Sequence, residues 1–281
     1  MTESYNREKI AIAITKSFIS TGQAVTDEVI RRMVSEVEEF VGRDEANCKV
    51  EKIQDEVERV LMEQGFYAEA KNYILYRWQR TERRKAVNVI VQRLGNDDIV
   101  SVLKDIQDDF KAEEYSVIRL SEKFSGFCKP EMKLSDRLST LIKAAVELTT
   151  QDAPDWEFIA ARLLNYQLGI LIKAEEEIVG IHSFYEKLRY LTEEDLYGSY
   201  ILENYSREDI EEAATFIRAD RDKLFNYSGL DLLFKRYLIR TRLNGVMESV
   251  QEMYLGIALH LAMPEKKDRL LWVQRFYDML S

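Results

Sequence analysis

Residues Leu134–Leu164 read LSDRLSTLIKAAVELTTQDAPDWEFIAARLL, and this stretch decides the fold class. Leu138, Leu141, Ile142, Ala145 and Leu148 recur at steps of three and four, which puts them on one face of a helix. The corner is Gln151-Asp152-Ala153-Pro154. Proline has no amide hydrogen and a fixed φ, so it suits the first turn of a new helix. Asp152 just before it is expected to accept hydrogen bonds from the free amides of that turn. Past the corner, Trp156, Ile159, Ala160, Leu163 and Leu164 form the apolar face of a second helix. Periodicity alone therefore predicts a helical hairpin inside a core.

Working outward, the whole chain has the same character. Its 281 residues allow one large or two modest domains, and 46% hydrophobic with 32% charged residues fits a folded globular protein. Three prolines and 11 glycines favour helices. The net charge of −10 argues against a nucleic-acid surface, which needs clustered Lys and Arg. The one basic run, Arg77–Lys85 (RWQRTERRK), reads as a solvated helix end where positive charge suits the dipole. Cys48 and Cys128 lie far apart and near no histidine cluster, which excludes a zinc site and points to reduced thiols. His182 and His260 stand alone on helices and read as structural. No apolar run approaches the roughly 18 residues that a membrane span needs, and no signal-peptide pattern opens the chain. The expected setting is cytoplasmic, with neither membrane nor nucleic acid as partner.

In order, the pattern predicts helices over about Arg7–Ser20, from Thr26 (Val29, Ile30, Met33, Val34, Val37) and from Val50 (Ile53, Val57, Val60, Leu61). A further helix carries Ala70, Tyr73, Ile74 and Arg77. Asn6 is placed to cap the first of these. Lys85–Gln92 reads as a linker, or as the beginning of another helix. Ile99, Val102, Leu103, Ile106 and Phe110 define an amphipathic helix, and Tyr115–Phe127 another. Ser206 with Asp209 three residues on is a capping-box start. Asn244-Gly245 is a favoured two-residue hairpin turn. The last helix turns Leu270, Leu271, Val273, Phe276, Tyr277 and Leu280 to one side.

IKAAVELTTQDAPDWEFIAARLL resembles the N-terminal region of the large (α) subunit of class I ribonucleotide reductase, where a phrase of the form KAA-[DE]-L…DAP-[DE]-[WY]…AARL is characteristic. DRDKLFNYSGLDLLFKRYLIRT (Asp220–Thr241) resembles the stretch before that family's catalytic barrel. NREKIAIAI…VEKIQDEVERVLMEQGFYAEAKNYILYR, within Asn6–Arg77, is similar to the ATP-cone, a small regulatory nucleotide-binding domain. The resemblance covers most of the chain. It implies a mainly α fold: an ATP-cone-like helical bundle, then the helical N-terminal domain of a reductase large subunit, with at most one short β-hairpin. The expected division is 1–84 for the cone, 85–170 for a degenerate second cone-like region and 171–281 for the reductase helical domain, ending before the barrel. The second cone rests on a loose repeat of helix order, and coincidental helical succession is its alternative.

Family cones open with a β-hairpin of the type Lys-Arg-Asp/Asn-Gly. Here its first strand and basic turn are absent, and Thr2–Asn6 would be what remains of the second strand, as if Met1 lay inside the parent hairpin. Matched residue by residue, the candidates for allosteric ATP or dATP, with Mg²⁺, are Glu3, Asn6, Lys9 and Ile10 at the front and Ile53 and Gln54 on the nucleoside side. Lys9 would be a phosphate point charge, or simply an exposed helix lysine. Asn6 and Glu3 would be polar contacts to base or sugar.

The resemblance implies a parent enzyme, an oxidoreductase of deoxyribonucleotide biosynthesis for DNA replication. It would reduce ribonucleoside diphosphates, with ATP stimulating and dATP inhibiting. The family's catalytic cysteines and relay tyrosines lie downstream, so no catalytic residue is expected here and the chain alone is expected to be inactive. Implied partners are the catalytic barrel, the small (β) subunit and a homo-oligomer. The competing expectation is a non-catalytic helical interaction module, or one half of a split reductase, whose last helices stay apolar and exposed until a partner arrives. A free-standing DNA-binding cone regulator is disfavoured by the acidic charge and the absence of zinc cysteines.

Overall fold

The computed structural model describes residues 6–42 and 50–281, and among them no β-strand forms. Two compact units divide at Lys85/Ala86.

In residues 6–85, α1 (Arg7–Thr21), α2 (Asp27–Gly42), α3 (Val50–Glu63) and the first part of α4 (Tyr67–Leu94) enclose one apolar cluster. Ile10, Ile14 and Phe18 come from α1, Met33, Val34 and Val37 from α2, Val57, Val60 and Leu61 from α3, and Ala70 and Tyr73 from α4. The three- and four-residue spacing thus becomes one buried stripe per helix. Gly22 ends α1 at φ +69°, a left-handed conformation in which a Cβ would be strained, and the amides of Gly22 and Gln23 return to Ile19 and Phe18. Phe18 and Phe66 meet edge-to-face at 4.9 Å.

Residues 86–281 are built around α8 (Trp156–Val179). Packed on it are α7 (Leu134–Val146), α5 (Ile99–Asp109) and α12 (Tyr227–Arg236), while α6 (Val117–Phe127) lies on α7. All five residues expected to face inward, Trp156, Ile159, Ala160, Leu163 and Leu164, are buried. The Trp156 indole Nε1 donates to the Glu114 carbonyl at 3.1 Å, so its one polar atom is satisfied. A further cluster joins α9 (Phe184–Glu193), α10 (Tyr200–Asn204), α11 (Arg207–Ala214), α13 (Val250–Leu261) and α14 (Arg269–Leu280). The capping box expected at Ser206–Asp209 forms, and a second forms at Ser249–Glu252.

Three expectations change. Lys85–Gln92 is not a linker but the interior of α4, which runs 28 residues. The basic run Arg77–Lys85 is therefore mid-helix and gains nothing from the helix dipole. Burial of Ala86, Ile90 and Leu94 in the second unit's core carries the helix onward. At the 151–154 corner Thr150, not Asp152, closes the turn. Its hydroxyl and carbonyl both accept from the Ala153 amide, and α8 starts at Trp156, beyond Pro154. The hairpin at Asn244-Gly245 shrinks to a single bridge, Arg240 with Val246. Its connection is three residues long, because the Thr241 amide donates to the Gly245 carbonyl at 2.7 Å and only Asn244 is left-handed (φ +69°). The expected division at residue 170 falls inside α8.

Two consequences for stability follow from this packing. Trp156→Ala should cost about 3–5 kcal/mol in urea unfolding, whereas Trp78→Ala, on the exposed side of α4, should change it by less than about 0.5 kcal/mol. The second concerns Glu248, which is only 5% exposed and accepts the Ile239 amide at 2.9 Å. Burial pushes its carboxyl up to about 7; the Ile239 amide and Lys187 oppose this and Glu252 adds to it. The folded state thus holds this proton more tightly than the unfolded chain. The stability it contributes is complete below about pH 4.5 and is lost as pH rises through 7. Glu248→Gln should flatten the decline between pH 5 and 8 by on the order of 2–3 kcal/mol, read from urea midpoints across that range.

Candidate functional site

The predicted nucleotide residues fall on the first turns of α1 and α3, except Glu3, which lies outside the described residues. Asn6 precedes α1 in an extended conformation, and its Oδ1 accepts from the amides of Glu8 at 2.8 Å and Lys9 at 3.3 Å. A short amide side chain can bend back to these free donors, which is why the helix begins there. Lys9 is exposed, while Ile10, one residue on, is buried in the unit's core. Ile53, the fourth residue of α3, packs against that same cluster, and the adjacent Gln54 is half-buried. Ile10 and Ile53 thus share one apolar cluster, with Asn6 and Lys9 before Ile10 in sequence and Gln54 after Ile53.

The nearby cations are unevenly committed. Arg7 lies 3.6 Å from Glu38, and Arg77 is held by Asp55 at 2.5 Å and Glu58 at 2.7 Å. Both carboxylates on Arg77 sit on α3 next to Gln54. Burial, reinforced by Glu58, pushes the Tyr73 hydroxyl up to about 12, so this group stays neutral. Among the described residues no group of three His, Cys, Asp or Glu side chains is arranged for a metal ion. Cys128 is buried and unpaired, and Cys48 lies outside the described residues.

A cavity of about 390 Å³ in this unit lies elsewhere, between α1 and α4. Lys16, Ser17, Ser20, Asn72, Tyr76 and Gln79 line it, with none of the predicted site residues among them. Asn72 Nδ2 donates to Ser20 Oγ at 3.1 Å across the groove. The signal for it was present in the sequence. Polar residues recur at three- and four-residue steps on both helices, Lys16 and Ser20 on α1 and Asn72, Tyr76 and Gln79 on α4, beside the apolar stripes.

With this geometry in view, comparisons place the chain. An ATP cone domain model matches residues 1–82, and the model of the ribonucleotide reductase all-alpha domain matches residues 223–281. The ATP cone is a nucleotide-binding allosteric regulatory domain. The relatives narrow this. The chain is 47% identical to a ribonucleoside-diphosphate reductase subunit alpha of Treponema pallidum over 99% of its own length and 34% of the relative's. It is 35% identical to the ribonucleoside-diphosphate reductase 1 subunit alpha of Escherichia coli over 53% of its length and 20% of that protein's. It is 28% identical to the Chlamydia muridarum subunit alpha over 100% of its length and 29% of that protein's. The chain is similar to the N-terminal ATP-cone and all-alpha part of these α subunits. It spans about a third or less of the relatives' length. No helix among the described residues is long and apolar enough to cross a membrane.

Asn6→Ala should destabilise the first unit by about 1 kcal/mol through loss of the cap. Far-UV circular dichroism should retain the helical content at 25 °C, with a lower unfolding midpoint for that unit.

Proposed function

We propose that this chain is the regulatory nucleotide sensor of a ribonucleoside-diphosphate reductase, binding ATP or dATP with Mg²⁺ on the phosphates. The enzyme it serves reduces ribonucleoside diphosphates to deoxyribonucleotides in the cytoplasm, ATP stimulating and dATP inhibiting. The observation that supports the reading is that Ile10, in the first turn of α1, and Ile53, in the first turn of α3, both belong to the apolar cluster of this unit. Helix first turns present backbone amides and a positive dipole end, a setting that favours phosphate. Exposed Lys9 supplies a point charge for the triphosphate. Ile10 and Ile53 give an apolar floor, and Gln54, Asn6 and Glu3 supply polar contacts to base and sugar.

In this reading the chain contributes binding and coupling, and the radical chemistry belongs to a catalytic barrel and a small (β) subunit. Allosteric control is a coupling free energy between the nucleotide site and the site of reduction, so it needs both parts. The cone occupies residues 1–84. The region 85–170 is a cone-like repeat without nucleotide, and 171–281 is the helical domain that meets the barrel. A second reading, an interaction module or one half of a split reductase, is favoured by Leu271, Met279 and Leu280, left exposed on α14. In that case the chain joins a separately made catalytic chain, and a homo-oligomer is the alternative cover for the same face.

Calorimetric titration of ATP and dATP with Mg²⁺ tests the proposal. Micromolar binding, about −8 kcal/mol, weakened at least tenfold by Lys9→Ala at an unchanged unfolding midpoint, is the expected result. Absence of heat at millimolar nucleotide would overturn it.

A further inference from the structure

In residues 86–281 a cavity of about 230 Å³ lies where the end of α4 meets the loop after α6. Its lining includes Arg93, Lys129, Arg137 and Gln92, and no carboxylate. None of the three cations makes an ion pair with Asp or Glu among the described residues, in a chain whose net charge is −10. Elsewhere in this unit Arg162 pairs with Asp109, Arg221 with Asp278, and Lys187 with Glu176 and Glu252, whereas the half-buried Arg240 and Arg269 bond to backbone carbonyls as Arg93 and Arg137 do. Gathering three like charges opposes folding unless an anion joins them.

The guanidinium groups are held in place by the backbone rather than by acids. Arg137 donates to the carbonyls of Met132 at 2.8 Å, Arg93 at 2.8 Å and Pro130 at 2.6 Å. Arg93 donates to the Cys128 carbonyl at 3.3 Å. A guanidinium carries five N–H donors, so Arg137 keeps two and Arg93 keeps four. Those carbonyls are engaged, which lessens their repulsion of an anion. Both arginine heads are therefore positioned in advance, with donors to spare, beside the ammonium of Lys129. Planar forked donors of this kind match the oxygens of a phosphate group.

We propose that Arg93, Lys129 and Arg137 form a binding site for a tetrahedral oxyanion, inorganic phosphate or the phosphate of a small monoester. Size sets the class. The cavity, about 230 Å³, is smaller than the ~300–1,000 Å³ of pockets that enclose drug-sized ligands, so it fits a phosphate head and does not enclose a whole nucleoside triphosphate. The site is separate from the one at α1 and α3 and stands whether or not that one binds nucleotide. Its occupation neutralises the three charges that tie α4, the 128–132 loop and α7 together, so the ligand stabilises this unit.

The test uses the full chain, with inorganic phosphate and glycerol phosphate titrated by calorimetry at constant ionic strength set with sodium chloride, and thermal unfolding in parallel. Saturable binding of either ligand is expected, with a midpoint that rises with ligand, competition by sulfate, and at least a tenfold loss of affinity in Arg93→Gln and in Lys129→Gln. The Lys129 carbonyl accepts from the Met132 amide, but its side chain makes no hydrogen bond or ion pair among the described residues, so its variant isolates charge from folding. Preference for glycerol phosphate over phosphate assigns the site to a monoester, and the reverse to the free ion. Binding of neither at 10-fold millimolar excess, or binding unchanged in both variants, overturns the proposal.

Discussion

A helix that is apolar on nearly every side can exist in water only if neighbours enclose it. In α8, Trp156, Ile159, Ala160, Ala161, Leu163, Leu164, Leu168 and Ile172 are all buried. These positions step around most of the helix circumference, so one packing partner would leave several in water. Three partners do the work: α7 arrives through the tight Thr150–Ala153 corner, α5 from before α6 and α7, and α12 from beyond α9, α10 and α11. Much of the arrangement of residues 86–281 follows from the need to bring these helices to α8. At roughly 25 cal/mol per Å² of apolar surface, enclosing eight such side chains outweighs any single polar contact in the unit.

Polar groups buried around this core then fix which arrangement is adopted. Lys187 on α9 is only 3% exposed and lies 2.6 Å from Glu176 on α8 and 2.6 Å from Glu252 on α13. Glu252 also closes the capping box with Ser249, so one carboxylate ties a helix start to a distant lysine. Asp222 accepts from Asn165 on α8 and Gln251 on α13, and Gln251 in turn accepts from the Tyr277 hydroxyl on α14. Burial raises the Asp222 carboxyl above its ordinary range while the two amides hold it down. A sliding helix would leave each of these groups unpaired, which costs more than the bond itself is worth. The apolar faces drive association, and these pairs set its register.

The local part of this was readable from sequence. Spacing of apolar residues located α5, α7 and α8 with the correct buried faces, Asn6 announced the start of α1, and Ser206 with Asp209 announced α11. What was not readable depended on distant partners. Nothing between Tyr67 and Leu94 breaks a helix, yet its basic middle suggested an end. The reason it continues is the burial of Ala86, Ile90 and Leu94 in the cluster that also holds Trp156, Ile159 and Leu163. Thr150 displaced Asp152 at the corner because the geometry of the Ala153 amide favoured the nearer hydroxyl. The partners of Lys187, and the gathering of Arg93 with Lys129 and Arg137, join residues too far apart in the chain for spacing to reveal. In the candidate site, Ile10 and Ile53 were legible as core by period and as site residues only by resemblance.

The proposed nucleotide site uses the first turns of α1 and α3. Hydrogen–deuterium exchange with and without ATP and Mg²⁺ addresses it directly, because amides at a helix start exchange fast unless a ligand covers them. The prediction is slowed exchange at residues 6–10 and 50–54 on adding nucleotide, with α8 unchanged. Protection confined to the α1–α4 groove at Ser17, Ser20 and Asn72, or no protection anywhere in residues 6–85, would contradict it.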